Sequence, residues 1–206
     1  MSNHQHYIAG RNTIRDWQHQ KMKLEQNSSP DIWSETYEGY FKPRLELRYL
    51  HPIKILKEHG TFQGEGFSIM TILCSLIEFL ESSYQGKSYK FLKNGEKLGE
   101  YEYSSSKAIF KSFLTKRSPF SAEFSDDLAE EFYSSIRCGL LHEASTKKGW
   151  RIWAQSPNGK IIQEDTKIVY RDMFEKSIKS FILNYGNELA SDQNLQKAFI
   201  RKLDTL

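Results

Sequence analysis

Arg137 and His142 are the two side chains best equipped for chemistry in a segment otherwise built for packing, Phe132-Tyr-Ser-Ser-Ile-Arg-Cys-Gly-Leu-Leu-His-Glu-Ala144. A guanidinium is permanently charged and offers a planar fork of donors, whereas an imidazole exchanges its proton near neutral pH. Together they could steady a developing negative charge and move a proton. A blander arrangement fits the spacing too, with both side chains in solvent near the negative end of a helix dipole. Glu78 is singled out by its surroundings, because it lies in the most hydrophobic stretch of the chain. A carboxylate there must find a cation or donor, and an Arg from a neighbouring helix is the obvious partner, whether for function or for structure alone.

These residues depend on the helices that carry them. Phe124, Leu128, Phe132, Ile136 and Leu140 recur every four residues, which predicts an amphipathic helix over 121–145 with Ser121 or Ser125 as its cap. Residues 67–84 are apolar nearly all round, the pattern of a central bundle helix. The exception is a narrow polar stripe of Thr71, Ser75, Glu78 and Ser82, with Glu81 beside it. Residues 31–58 are helical in pattern, but Pro43 and Pro52 should break or kink that helix. Arg44 and Arg48 share one of its faces, either as a solvated, salt-bridged surface or as phosphate contacts. Further helices are predicted over 105–117, 170–190 and 192–203, with a loop of partly extended structure over 85–104.

Trp150–Gln155 and Lys160–Gln163 flank a Ser-Pro-Asn-Gly turn, which predicts a small β-hairpin over about 150–164. Residues 1–30 are polar and read as a loosely attached arm, with some helix between Thr13 and Glu25. The fold expected is therefore mainly α: an arm, then one helical domain over 31–206 with a β-hairpin inserted before the last long helix.

With 206 residues, a net charge of +3 and a pI of about 8.7, the chain has the composition of a folded domain. Its mild basicity is compatible with nucleic acid without demanding it. Cys74 and Cys138 lie in apolar helices and read as small buried hydrophobes, not as a disulfide framework. No Cys/His spacing suggests zinc, and His4 and His6 are too sparse to define a metal site, so no metal or cofactor is expected. The glycines of His59–Gly66 lack the Lys-Ser/Thr of a phosphate-binding loop and a clear preceding strand. The first residues lack the apolar core of a secretion signal, and Phe67–Leu80 is short for a bilayer span. A soluble cytoplasmic protein with no membrane partner is expected.

Arg137-Cys-Gly-Leu-Leu-His142, in an apolar helix that follows a buried one, resembles the R-x(4–6)-H signature of the HEPN superfamily (higher eukaryotes and prokaryotes nucleotide-binding domains). Gly64-Glu-Gly-Phe67 and Ser75-Leu-Ile-Glu-Phe-Leu-Glu-Ser82 look like segments of small bacterial HEPN proteins, and the resemblance covers roughly residues 35–190. It implies a HEPN-like helical bundle and a metal-independent endoribonuclease, with Arg137 and His142 catalytic and Glu78, Glu143 and Cys138 in support. Cys138 stands where many members of that family carry a polar residue. Lys147, Lys148 and Arg151 would meet RNA phosphates, and Trp150 or Trp153 would stack a base or fill the hairpin core. The resemblance also implies a homodimer with a composite active site, a defence or toxin role, and a possible antitoxin or defence partner. Two other readings stand beside it: a non-catalytic HEPN module that binds RNA, nucleotide or a protein partner, and a plain structural helical domain.

For the nuclease, a neutral His takes the proton of the RNA 2′-OH as that oxygen attacks the adjacent phosphorus, and Arg meets the charge gained by the phosphorane. The products are a 2′,3′-cyclic phosphate and a 5′-OH. Helix geometry resists a simple pairing, since residues five apart differ by about 140° around an α-helix. The two side chains converge if Gly139 loosens the helix, if a π-bulge forms there, or if two chains pack about a twofold axis.

Overall fold

Local hydrogen bonding by the side chains of Thr13, Ser105, Ser125 and Asp192 sets where four of the described helices begin. In the computed structural model, which describes residues 7–61 and 63–206, β1 (Tyr7–Ala9) and β2 (Asn12–Thr13) lead into α1 (Ile14–Gln26), opened by a capping box between Thr13 and Asp16. A long rod, α2 (residues 30–59), precedes the central helix α3 (Glu65–Gln85). A parallel clip of β3 (Ser88–Tyr89) and β4 (Glu102–Tyr103) follows. Ser105 and Ser125 hydroxyls cap α4 (Ser106–Lys116) and a second rod, α5 (residues 126–143). Strands β5 (Arg151–Trp153), β6 (Ile162–Gln163) and β7 (Ile168–Tyr170) precede α6 (Arg171–Leu189) and α7 (Gln193–Leu203). The chain is thus mainly helical. His4 and His6 lie outside the described residues.

The two rods contain π turns, and the apolar spacing explains them. On α2, Trp33, Tyr37, Phe41, Leu45 and Ile53 are all buried, with Tyr49 packed against the core between them. A four-residue repeat drifts by about 40° per step on an ideal α-helix, or roughly 200° from Trp33 to Ile53. Two π turns, Tyr37–Phe41 and Glu46–Leu50, each admit one extra residue and return about 100° of that drift. The stripe therefore stays on the core. α5 follows the same rule, with one π turn, Tyr133–Arg137, holding Leu128, Phe132, Ile136 and Leu140 inward.

The prolines neither break nor end α2. Pro43 and Pro52 each come just after a π turn, where the helix is already widened. The Gly39 carbonyl, which Pro43 cannot satisfy, accepts from Asn12 Nδ2 at 2.8 Å.

α3 packs against α2, α4, α5, α6 and α7. By length and composition it would pass for a membrane span, but more than half of its most apolar window is buried within the protein. Its two carboxylates have different fates. Glu81 is fully buried and takes a two-point contact from Arg117, 2.8 Å to Nε and 3.0 Å to Nη2, while Ser112 Oγ donates at 2.7 Å. Arg117 lies 3.9 Å from the centre of the Tyr84 ring. Glu78 stays half-buried one turn earlier.

Two expectations need correction. The N-terminal segment from Tyr7 onward is not a loose arm: Ile8, Ala9, Trp17 and Leu24 are core residues. Trp17 Nε1 donates to Asp204 at 2.8 Å, and Gln20 Nε2 to Thr36 at 2.8 Å. A tryptophan and a leucine on one side of a polar helix are enough to dock it. The hairpin over 150–164 does not form either. β7 lies between the other two strands, parallel to β5 and antiparallel to β6. All three residues of β7 are buried, so it is the strand that both neighbours need.

Candidate active site

The Arg137 side chain is only 18% exposed, and Nη2 lies 3.6 Å from Glu78 Oε2 on α3. Its guanidinium carbon stands 5.3 Å from the centre of the Tyr133 ring, one π turn earlier. Glu78 is itself oriented: its Oε1 accepts from Ser106 Oγ at 2.8 Å and from Tyr103 Oη at 3.3 Å. One carboxylate oxygen is thus held by hydroxyls while the other faces the arginine. Burial, reinforced by the Glu78 charge, pushes the Tyr103 phenol up to about 12, so it remains a donor at neutral pH. Cys138 follows Arg137 and is half-buried, a free thiol beside Tyr133. Burial pushes the Cys74 thiol up to about 12 against the pull of Arg137, which leaves it protonated and inert.

His142 is placed differently. It is exposed on the last turn of α5 and makes no hydrogen bond, ion pair or ring contact with any described residue. The π turn ends at Arg137, and Cys138–Glu143 is ordinary α-helix. The bulge expected at Gly139 is therefore one turn too early to rotate His142 toward Arg137, and their separation of about 140° around the axis stands. Gly139 does not loosen the helix; it lets the chain fold back. The Gly139 carbonyl accepts from Ala144 N–H and, at 3.4 Å, from Ser145 N–H. A Cβ at Gly139 would lie 2.4 Å from the Ser145 carbonyl oxygen. That crossing turns the chain away just past His142.

The remaining sequence candidates scatter. Glu143 pairs with Lys147 at 3.2 Å, both about half exposed, and supports neither Arg137 nor His142. Such a pair contributes little. Lys148 is exposed in the following turn with a φ of 54°. Arg151 Nη2 donates to the Thr166 carbonyl at 3.1 Å and its guanidinium lies near the Trp153 ring. Trp153 is exposed and on hand for a base, whereas Trp150 is core, packed on Phe132 and donating to Glu131 at 3.0 Å. Arg44 and Arg48 hold the N-terminal strand, donating to the carbonyls of Ile8 and Tyr7.

Three site residues had no sequence signal. Tyr103 and Ser106 reach Glu78 from β4 and from the start of α4, 25 and 28 residues downstream. Tyr133 is set beneath Arg137 by the π turn. Among the described residues, no cluster of His, Cys, Asp or Glu is arranged to hold a metal ion. Compared with protein-family models, curated proteins and solved structures, the chain matches none.

Proposed function

We propose that this chain is a HEPN-type, metal-independent endoribonuclease that works as a homodimer, with Arg137 of one copy and His142 of the other meeting at one scissile phosphate. The observation that carries the reading is the division of labour around α5. Arg137 is anchored at its inner edge by Glu78 and Tyr133, while His142 stands free and exposed at its outer edge. A pair that cannot meet within a chain can meet across a twofold. Ser75, one turn before Glu78 on α3, is exposed and supports an approach to Arg137 from that side. Leu141, beside His142, is 47% exposed.

In the reaction, neutral His142 removes the 2′-OH proton as the 2′ oxygen forms a bond to phosphorus. The bond from phosphorus to the 5′ oxygen breaks, and that oxygen leaves with a proton from solvent or from a protonated imidazole. Arg137 meets the charge on the nonbridging oxygens. A defence or toxin setting, with a partner protein holding the nuclease in check, belongs to the same proposal.

The test is cleavage of RNA in excess EDTA by the unaltered protein, Arg137→Ala and His142→Ala, with sedimentation alongside. Cleavage to 2′,3′-cyclic phosphate ends, lost in both variants, is the expected result. Equal cleavage by all three, or none by the unaltered protein, overturns the nuclease; a strictly monomeric chain overturns the composite site. The second reading, a non-catalytic RNA-binding module, is favoured by the Arg137–Glu78 ion pair acting as structure alone. RNA binding without cleavage by the unaltered protein would select it.

A further inference from the structure

We infer that the clip of β3 and β4 is a stacking platform for single-stranded RNA, feeding the strand toward Arg137; the direction of feeding rests on the nuclease reading above, the platform does not. Phe91 is 74% exposed, Tyr89 55% and Tyr101 42%. The parallel register sets Tyr89 opposite Tyr103. Phe91 and Tyr101 flank the paired residues, Phe91 two positions after Tyr89 and Tyr101 two before Tyr103. The clip is fastened in place: Ser88 N–H donates to the Tyr101 carbonyl at 2.9 Å, Lys90 N–H to the Tyr103 carbonyl at 2.8 Å, and Ser88 Oγ to Thr205 at 2.8 Å. Arg201 of α7 stacks on Tyr101 with its guanidinium carbon 4.0 Å from the ring centre. Phe91 makes no ring contact with any described residue, and exposed rings gathered on one frame are apolar surface of the kind that marks an interaction site.

The charges around the rings select the occupant. The acidic groups of the clip are engaged internally: Glu102 with Lys90 and the Gly99 amide, Glu96 with the Lys93 amide, Glu100 beside Tyr101. Lys93 and Lys97 are exposed and pair with no described residue. Rings interleaved with free lysines suit a strand that offers a base face and a phosphate at each nucleotide. The platform is also continuous with the candidate site, because Tyr89 packs edge-on against Tyr103 at 5.6 Å and Tyr103 donates to Glu78, the partner of Arg137.

The test measures binding of labelled single-stranded RNA by fluorescence anisotropy in an Arg137→Ala background, so that the strand stays intact. Tyr89→Ala and Phe91→Ala should each weaken binding roughly tenfold. The double change Lys93→Gln, Lys97→Gln should reduce the slope of log K against log salt by about 1.4. Phe91, Lys93 and Lys97 are exposed, so the thermal midpoint should not move in their variants, whereas Tyr89→Ala also gives up the edge contact with Tyr103. Unchanged binding in the aromatic variants overturns the platform while leaving the nuclease reading intact. Weakened binding alongside an unaltered protein that never cuts RNA upholds the platform and removes the nuclease. If the aromatic variants instead lose self-association and keep RNA affinity, the rings belong to a protein interface and the inference fails.

Discussion

Gly139→Ala separates the intrinsic preference of a helix from the demands of this particular fold. Glycine sits inside α5, where alanine is favoured by about 1 kcal/mol on helix propensity alone. Propensity therefore predicts a more stable protein. The structure predicts the reverse, because the added Cβ would fall 2.4 Å from the Ser145 carbonyl oxygen and 3.4 Å from Lys147 Cγ. The obstructing atom is backbone, and its segment is tied down: Ser145 N–H donates to Gly139 and Lys147 N–H to the Ser135 carbonyl at 2.9 Å. Relieving the overlap means stretching those bonds, at about 2–3 kcal/mol, the upper part of the overpacking range, because the obstructing atom is backbone. After the propensity gain, a net loss of about 1–2 kcal/mol is expected, or a melting point lower by roughly 2–8 °C in a chain of this size. Urea unfolding by circular dichroism should show the midpoint falling with the slope unchanged. An equally or more stable Gly139→Ala protein would refute the account of the crossing, and with it the account of how the chain leaves His142.

Other substitutions test other parts of the structure. Ala144 closes α5 at a φ of 50°, a conformation glycine adopts freely, so Ala144→Gly should raise stability by about 0.5–1 kcal/mol in the same urea assay. Arg117→Ala strands the fully buried Glu81 carboxylate and should cost about 3–5 kcal/mol, whereas adding Glu81→Leu should recover much of that loss; a mild single-variant effect would mean that Glu81 is not held as described. Tyr185 Oη is buried with no hydrogen-bond partner among the described residues, so Tyr185→Phe should leave thermal stability unchanged or raise it, and a large fall would reveal a partner. Burial, with Arg44 adding repulsion, pulls the Lys202 ammonium down to about 8 from 10.5. The unfolded chain then holds the extra proton between those values, so stability should rise as pH climbs from about 8 towards 10.5. In Lys202→Met that rise should vanish; its persistence would assign it to another group.

The candidate site was legible in part. Glu78 was marked by a carboxylate in an apolar helix, and the neighbouring helix does supply an arginine to face it. Arg137 and His142 were marked by residue type and spacing, and their helix is where the periodicity put it. The hydroxyls of Tyr103 and Ser106 were invisible, because where a two-residue strand and the start of a helix come to lie depends on what they pack against rather than on their own pattern. The N-terminal segment and the strands around 150–164 elude the sequence for a related reason. Short elements with a few apolar residues carry little periodic signal, and burial by distant partners decides their fate.

The amino-acid sequence by itself determined the helical character, the centrality of α3 and the core stripe of α5, with Ser125 one of the two caps it offered for that helix. The four-residue repeats drift on an unbroken α-helix, and the π turns of α2 and α5 absorb that drift. Only the tertiary structure decided where those turns fall and therefore which way Arg137 and His142 point. A repeat states how much drift must be absorbed, whereas proline positions, neighbouring rings and the chain crossing at Gly139 select the residues that absorb it. That selection set the π turn before Arg137, which turned the arginine to Glu78 and left the histidine to solvent.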